Sequence, residues 1–290
     1  MPSSKPDEKS QPEKQRGELF LVATPIGNLK DITLRALEVL QAVDAIACED
    51  TRTSGGLLKH YGITTRMLPY HSHNEAEATA ELIEHLARGT RIALISDAGT
   101  PLLSDPGARL VRAAIAAGIR VTPIPGASAL LSAVSIAGLS AESFYYGGFL
   151  PSKPKARRDM LQPLATIPAT LVFYEAPHRL IETLEDIASI MGDREAAVAR
   201  ELTKLYEQCV RGTLGELIAH FTTTAPRGEC VILVHGAAPA AALDDASLDA
   251  QLHTAMQSLS LKEAVAQVAK HAGRPKSEVY ARALALKDTP

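Results

Sequence analysis

The 290-residue sequence contains no Trp, and aromatic residues make up only 4% of it. A protein that reads RNA mainly by stacking bases on aromatic rings needs more such platforms, so shape and phosphate contacts are the expected mode for any RNA partner. Cys48, Cys209 and Cys230 are too few and too scattered for a disulfide framework, and no C-x-x-C pair suggests zinc. Each reads as a small buried apolar residue, and no metal site is expected. No apolar run reaches the ~18 residues of a membrane helix, and the charged N-terminus lacks the apolar stretch of a signal peptide. A cytoplasmic protein with no membrane partner is therefore expected. Strong positive charge is missing as well: the net charge is −3, unlike that of the very basic nucleic-acid binders. The motifs G-x-x-x-x-G-K-S/T, G-x-G-x-x-G after the first strand, H-E-x-x-H and G-x-S-x-G are all absent. Their absence argues against a Walker phosphate loop, the usual dinucleotide site, a zinc peptidase and an α/β-hydrolase.

What the chain does have is a 46% hydrophobic composition and a length that suits two domains of ~150 residues. Its charge is uneven: residues 1–16 carry +1 and residues 259–290 carry +3, which leaves −7 on the body from 17 to 258. Residues 1–16 are polar, Pro-containing and without period, as in a disordered tail. From residue 17 to 138 short apolar runs alternate with amphipathic stretches, the pattern of βαβ units around a mostly parallel sheet. From 139 to 236 strand-like runs follow one another with fewer helices between, which favours a second α/β domain with a mixed sheet. Residues 237–247 read as an Ala/Pro/Asp linker and 248–290 as a helical module. In that module Ser260-Leu-Lys-Glu263 is a capping-box signature, and Pro275 suits a second helix start. The two helices form either a domain-capping hairpin or a helix-turn-helix.

Three Gly/Pro-rich loops follow predicted strands: Thr24-Pro25-Ile26-Gly27-Asn28, Ser96-Asp97-Ala98-Gly99-Thr100-Pro101 and Pro123-Ile124-Pro125-Gly126-Ala127-Ser128. Ligands of open α/β sheets bind at such strand ends, where each following helix N-terminus favours an anionic group. Polar constellations also fall at predicted strand ends, at residues 49–52, 71–75, 174–179, 200–204 and 227–229.

The ordered blocks LVATPIGNLKDIT, EDTR, HSHNE, ISDAGTPLLSDPG, PIPGASA, GFLP, FYEAPHR and RELTKLYE, spread over residues 19–234, resemble one group. It is the ribosomal RNA ribose-methylating branch of the tetrapyrrole (corrin/porphyrin) methylase superfamily, the class III S-adenosylmethionine-dependent methyltransferases. The small-molecule methylases have G-D-P where this chain has Gly99-Thr100-Pro101, and G-P-G-D near Thr24–Asn28, which favours the RNA branch over a tetrapyrrole-like substrate. A catalytically silent RNA-binding assembly protein on the same fold is the remaining alternative.

The resemblance implies two α/β domains plus a C-terminal helical hairpin, with S-adenosylmethionine in the cleft and a homodimer as the assembly. By motif correspondence it places cofactor contacts at Pro25, Gly27, Ala98, Gly99, Thr100, Leu103, Ser128, Ala129, Glu175, Ala176, Leu202 and Glu229. The implied reaction is methylation of the ribose 2′-hydroxyl of a decoding-centre cytidine in 16S rRNA of the small ribosomal subunit. A hydroxyl is a weak nucleophile, so positioning and proton removal are needed. The catalytic candidates are Asp50, Glu175, His178 and Glu201 for acid–base work, with Arg52 and Lys204 as cationic partners. Positive charge for RNA is offered by Lys153, Lys155, Arg157 and Arg158, by Arg179, and by Lys270, Arg274 and Lys276 in the C-terminal module.

Overall fold

The computed structural model describes residues 17–238 and 245–287, without the side chains of Lys270 and His271. The expected tail at 1–16, residues 239–244 of the expected linker and the Lys270 side chain lie outside the described residues.

The first sheet is made of β1 (Glu18–Val22), β2 (Ala45–Cys48), β3 (Met67–Pro69), β4 (Ile92–Ile95) and β5 (Arg120–Ile124). Helices α1 (Leu34–Ala42), α2 (Thr51–His60), α3 (Glu75–Ala87) and α4 (Ala108–Ala116) connect them. The strand order is β3-β2-β4-β1-β5 and every pairing is parallel. The continuous apolar runs of β2 and β4 are buried on both faces, as a parallel sheet between two helix layers requires. Alternation divides them cleanly. Ile46, Cys48, Ala93 and Ile95 pack with Ala36 and Leu40 on one side, while Ala47, Ile92 and Leu94 pack with Leu86 and Leu110 on the other. Leu34, periodic with Leu37 and Leu40 in sequence, is 79% exposed because Ala36 and Leu40 form the inner face of α1.

In this order β1 lies between β4 and β5, so the chain reverses direction across the sheet there. The ends of β4, β1 and β5 therefore open side by side, and the three Gly/Pro-rich loops meet at one switch point.

The second sheet contains β6 (Phe144–Phe149), β7 (Thr170–Glu175), β8 (Glu195–Arg200), β9 (Gln208–Thr213) and β10 (Cys230–Val234), in the order β6-β7-β10-β8-β9. Only β6 and β7 run parallel, so the sheet is mixed. Helices α6 (Pro154–Leu161), α7 (Leu180–Met191) and α8 (Leu214–Thr223) cover one face. The other face is covered by α5 (Ala129–Ile136), which follows β5 of the first sheet. Leu130, Ala133 and Val134 of α5 pack on Val172, Ala197, Val231 and Leu233. A helix read from sequence as completing the first unit thus buries its apolar side in the second.

The C-terminal segment holds α10 (Leu261–Ala272) and α11 (Lys276–Lys287), the expected pair, and before them α9 (Asp245–Met256). Leu248 and Leu252 of α9, one turn apart and fully buried, join Ala264, Val265, Val268, Val279 and Ala283 in a core of their own. Ser260 caps α10: its hydroxyl accepts from the Glu263 amide, and the Glu263 carboxylate accepts from the Ser260 amide at 3.1 Å. Replacing Ser260 by Ala is expected to destabilise this bundle by about 1 kcal/mol, read as an earlier helical melt by circular dichroism. An unchanged melt would show that the cap contributes nothing.

Candidate active site

The strand-end loops of the first sheet are braced to one another through backbone groups. Thr24 and Gly99 exchange amide-to-carbonyl hydrogen bonds of 2.9 and 3.0 Å. The Thr24 hydroxyl donates to the Ser96 carbonyl, the Ser96 hydroxyl to the Gly99 carbonyl, and the Thr100 hydroxyl to the Ala127 carbonyl. Gly99 has φ +81°, and a Cβ there would stand 3.2 Å from the Ile26 side chain. The left-handed turn favours glycine, and an added Cβ would press on the Ile26 methyl.

From the second sheet, pairing places Glu175, Arg200 and Cys230 side by side, so the ends of β7 and β8 and the start of β10 share one edge. A tight turn after β8 carries Glu201, Leu202, Thr203 and Lys204 toward the first-sheet loops. The Lys204 stem lies over Gly27, where a Cβ would come within 2.6 Å of it.

Between these edges is a cavity of about 270 Å³. The first sheet's loops line it with Ile26, Glu49, Asp97, Ala98, Gly99, Thr100, Leu103, Ser104 and Asp105, joined by Ser128 and Ala129 at the start of α5. The second sheet adds Phe149, Tyr174, Glu201, Leu202, Lys204, Glu229, Cys230 and Val231. Among the described residues, the non-glycine residues at positive φ are Leu102, Ser104, Glu201 and Thr203, all in the two loops that face this cavity. Strain of this kind persists where the surrounding structure holds it, and it concentrates at working sites.

The cavity is electrostatically one-sided. Glu49, Asp97, Asp105, Glu201 and Glu229 line it against a single lining cation, Lys204, which is bonded to Glu201 at 2.8 Å. Burial, and then the charges of Glu49, Asp97 and Glu229, push the Asp105 carboxyl up to about 6. A carboxylate group short of countercharge suits a cationic ligand. Some amides at the starts of α4 and α5 already have partners within the chain. At α5 the Leu130 and Leu131 amides donate to the Tyr174 and Ser128 hydroxyls, and at α4 the Gly107 amide donates to Glu75.

The Asp105 shift has a signed consequence. The native chain holds this proton more tightly than an unfolded chain, whose Asp titrates near ~3.9. Its stabilising contribution is complete below that value and is lost as the pH rises through about 6. Attraction for a cation runs the other way, because the ionised form provides the field. Affinity for a cationic ligand should therefore increase between about pH 5 and pH 7, and Asp105→Asn should flatten that rise in calorimetric titrations. An equally steep profile in the variant would assign the titration to another group.

The expected cofactor positions Ala98, Gly99, Thr100, Leu103, Ser128, Ala129, Leu202 and Glu229 line the cavity, whereas Pro25, Gly27, Glu175 and Ala176 do not. Of the catalytic candidates, Glu201 and Lys204 line it. Asp50 lies outside the lining and caps α2, and its bonds to the Arg52 side chain and amide hold its carboxyl down at about 2. The Arg52 side chain is committed to Asp50 at 2.8 Å, and His178 is exposed on a short turn away from the cavity lining. Glu175 is fully buried, accepting from the Ala176 amide and the Thr183 hydroxyl and pairing with Arg179 at 3.3 Å.

The basic candidates divide similarly. Arg157 is buried against Asp186 at 2.6 Å, and Arg179 donates to the Leu150 and Pro151 carbonyls. Arg274 bonds to Asp245 at 2.8 Å and to Glu278. These three hold the fold together rather than face a polyanion. Lys153, Lys155 and Lys276 are exposed, and Arg158 is exposed while paired with Asp186 at 3.1 Å.

Sequence reasoning placed Glu49, Asp97 and Tyr174 in strand-end segments without giving them a role, and it missed Asp105 and the aromatic wall. In that wall Tyr174 meets Tyr146 and Phe149 edge to face, at centroid distances of 5.1 and 5.5 Å. The clustering of carboxylates at successive strand ends was the available signal.

Comparison with known proteins adds the following. The family described as Tetrapyrrole (Corrin/Porphyrin) Methylases matches residues 18–218, and the RsmI C-terminal HTH domain matches residues 242–287. The chain is 50% identical over 273 residues to the ribosomal RNA small subunit methyltransferase I of Mesorhizobium japonicum, covering 93% of this chain and 92% of that one. It is 48% identical over 277 residues to the protein of the same name from Escherichia coli O157:H7, covering 94% and 96%. Among solved structures it is similar in fold to the Thermus thermophilus uroporphyrin-III C-methyltransferase complexed with S-adenosyl homocysteine. There the TM-score is 0.53 at 21% identity, over 75% of this chain and 97% of that one. It also resembles the methyltransferase CobJ, with a TM-score of 0.58 at 19% identity over 77% and 95%.

Proposed function

The chain belongs to the tetrapyrrole (corrin/porphyrin) methylase family, in the group of the ribosomal RNA small subunit methyltransferases I, and from that premise we propose that it uses S-adenosylmethionine to methylate small-subunit ribosomal RNA. The acceptor we assign is the ribose 2′-hydroxyl of a decoding-centre cytidine in 16S rRNA. The observation that carries the reaction class is the cavity between the sheets, rich in carboxylates and short of countercharge. Likeness along almost the whole chain supports the substrate.

The cavity fits a cofactor that is both a sulfonium and an ammonium. Carboxylates of Asp97, Asp105 and Glu229 face it, and Gly99 holds the left-handed turn of the loop that lines it. When bound, the cofactor supplies an electrophilic methyl group. The chain's own part is to position the acceptor oxygen and take its proton. Asp105, poised near neutrality, suits that proton better than Asp50 does. Lys204, fixed by Glu201 at the cavity wall, supplies a cation for the acceptor oxygen or its phosphate.

Lys153 and Lys155 at the start of α6 and Lys276 on α11 are the exposed cations we assign to the RNA backbone. We further propose a homodimer working in the cytoplasm. No helix among the described residues is long and apolar enough to cross a membrane.

The test is transfer of labelled methyl to small ribosomal subunits lacking the modification, with the site mapped by the alkali resistance of the 2′-O-methylated linkage. Intact cofactor binding with no label in 16S rRNA would defeat the reading.

A further inference from the structure

The loop between β8 and β9 carries a feature that cofactor binding leaves unused. Two successive turns form it, closed by the Lys204 amide on the Glu201 carbonyl at 3.0 Å and the Glu207 amide on the Lys204 carbonyl at 3.2 Å. The Thr203 amide also donates to the Glu207 carboxylate at 2.6 Å, and Glu201 and Thr203 are held at φ 51° and 67°. The second turn has Leu205 and Tyr206 at its corners. Turn corners ordinarily carry Gly, Pro, Asn, Asp or Ser. Here the two side chains are 87% and 72% exposed, two of the three most exposed large hydrophobics among the described residues.

Their position is fixed from both sides of the cleft. Lys204, the residue immediately before them, lines the cavity, is bonded to Glu201 of the second sheet's edge and lies over Gly27 of the first sheet's loop. A braced turn thus holds an aliphatic and an aromatic side chain toward solvent, one and two residues beyond the cavity wall.

We propose that Tyr206, with Leu205 beside it, is a positioning platform on which an unpaired base of the RNA stacks while the neighbouring ribose enters the cavity. This rests on the ribosomal RNA reading above. A ribose that reaches a recessed methyl donor must leave its helical stack, which exposes bases needing a new apolar surface. An aromatic face beside a cation is the surface that single-stranded RNA takes. Tyr206 is the most exposed of the chain's seven Tyr residues, a single platform in a protein otherwise expected to rely on shape and phosphate contacts.

The experiment compares steady-state methyl transfer to small subunits lacking the modification by the full-length protein and its Tyr206→Ala, Tyr206→Phe and Leu205→Ala variants. Tyr206→Ala should raise KM for subunits about tenfold or more, with cofactor affinity unchanged by calorimetry, and Tyr206→Phe should restore most of the loss. Because the chain has no Trp, Tyr206→Trp adds a sole indole, whose emission should be quenched on binding subunits. A wild-type KM in Tyr206→Ala overturns the inference, as does an equal loss of cofactor affinity, which would make the loop part of the cofactor wall. A change in sedimentation that accounts for the activity loss also overturns it, making the tip a contact between copies. If the unsubstituted protein fails to methylate subunits, the functional reading and the inference fall together. If it methylates them and Tyr206→Ala does so equally well, the inference alone falls.

Discussion

Replacing Asp186 by Ala is expected to lower the unfolding free energy by about 3–5 kcal/mol, the cost of stranding a buried charge. Asp186 on α7 receives the Arg157 guanidinium at 2.6 Å and that of Arg158 at 3.1 Å. The Arg157 side chain is only 2% exposed, and its other carboxylate neighbour, Glu182, stands 3.7 Å away at the protein surface. One of its terminal nitrogens has no hydrogen-bond partner even with Asp186 present, so removal of Asp186 leaves little to compensate. The pair joins α6 to α7 over the second sheet, and urea denaturation followed by circular dichroism would read its loss. Replacing both Arg157 and Asp186 by apolar residues of similar volume should recover much of the stability. A loss below about 1 kcal/mol in the single variant would mean that the guanidinium finds water and the pair behaves as a surface one.

The second large effect is on ligand binding. Gly99→Val should weaken S-adenosylmethionine binding about ten- to hundredfold while the rest of the fold survives. Valine at φ +81° carries strain of about 1–3 kcal/mol or more. Relief of that strain would pull apart the paired Thr24 and Gly99 bonds that shape the floor of the cavity. The branched side chain would also meet Ile26, which lines the same wall. Gly99→Ala should show a smaller loss. Calorimetry with the cofactor measures both, and wild-type affinity in Gly99→Val would detach this loop from cofactor binding.

The parallel sheet and its switch point were legible in the sequence because a strand buried on both faces leaves a continuous apolar run, as in β2 and β4. The three loops were legible because close backbone approach demands Gly and Pro. Individual charges were harder to read. Arg157 and Arg158 are neighbours in sequence and both reach Asp186 on α7, yet a helix turns about 100° per residue, so the first is buried against α7 and the second stays half exposed. Asp105 looked like an ordinary loop residue. Its raised proton affinity comes first from burial and then from Glu49, Asp97 and Glu229, and only folding supplies both. Helix α9 escaped notice because its buried side is carried by two leucines in an otherwise polar, Ala-rich stretch.

Helix α5 has a consequence for how the molecule can be divided. Its chain position attaches it to the first sheet, while Leu130, Ala133 and Val134 complete the packing of the second. Severing the chain near residue 138 would leave Val172, Ala197, Val231 and Leu233 bare on one fragment and an orphan apolar helix on the other. The two halves are therefore not interchangeable cassettes. The second borrows part of its interior from the first, and the cleft between them is built across a seam that neither half can form alone.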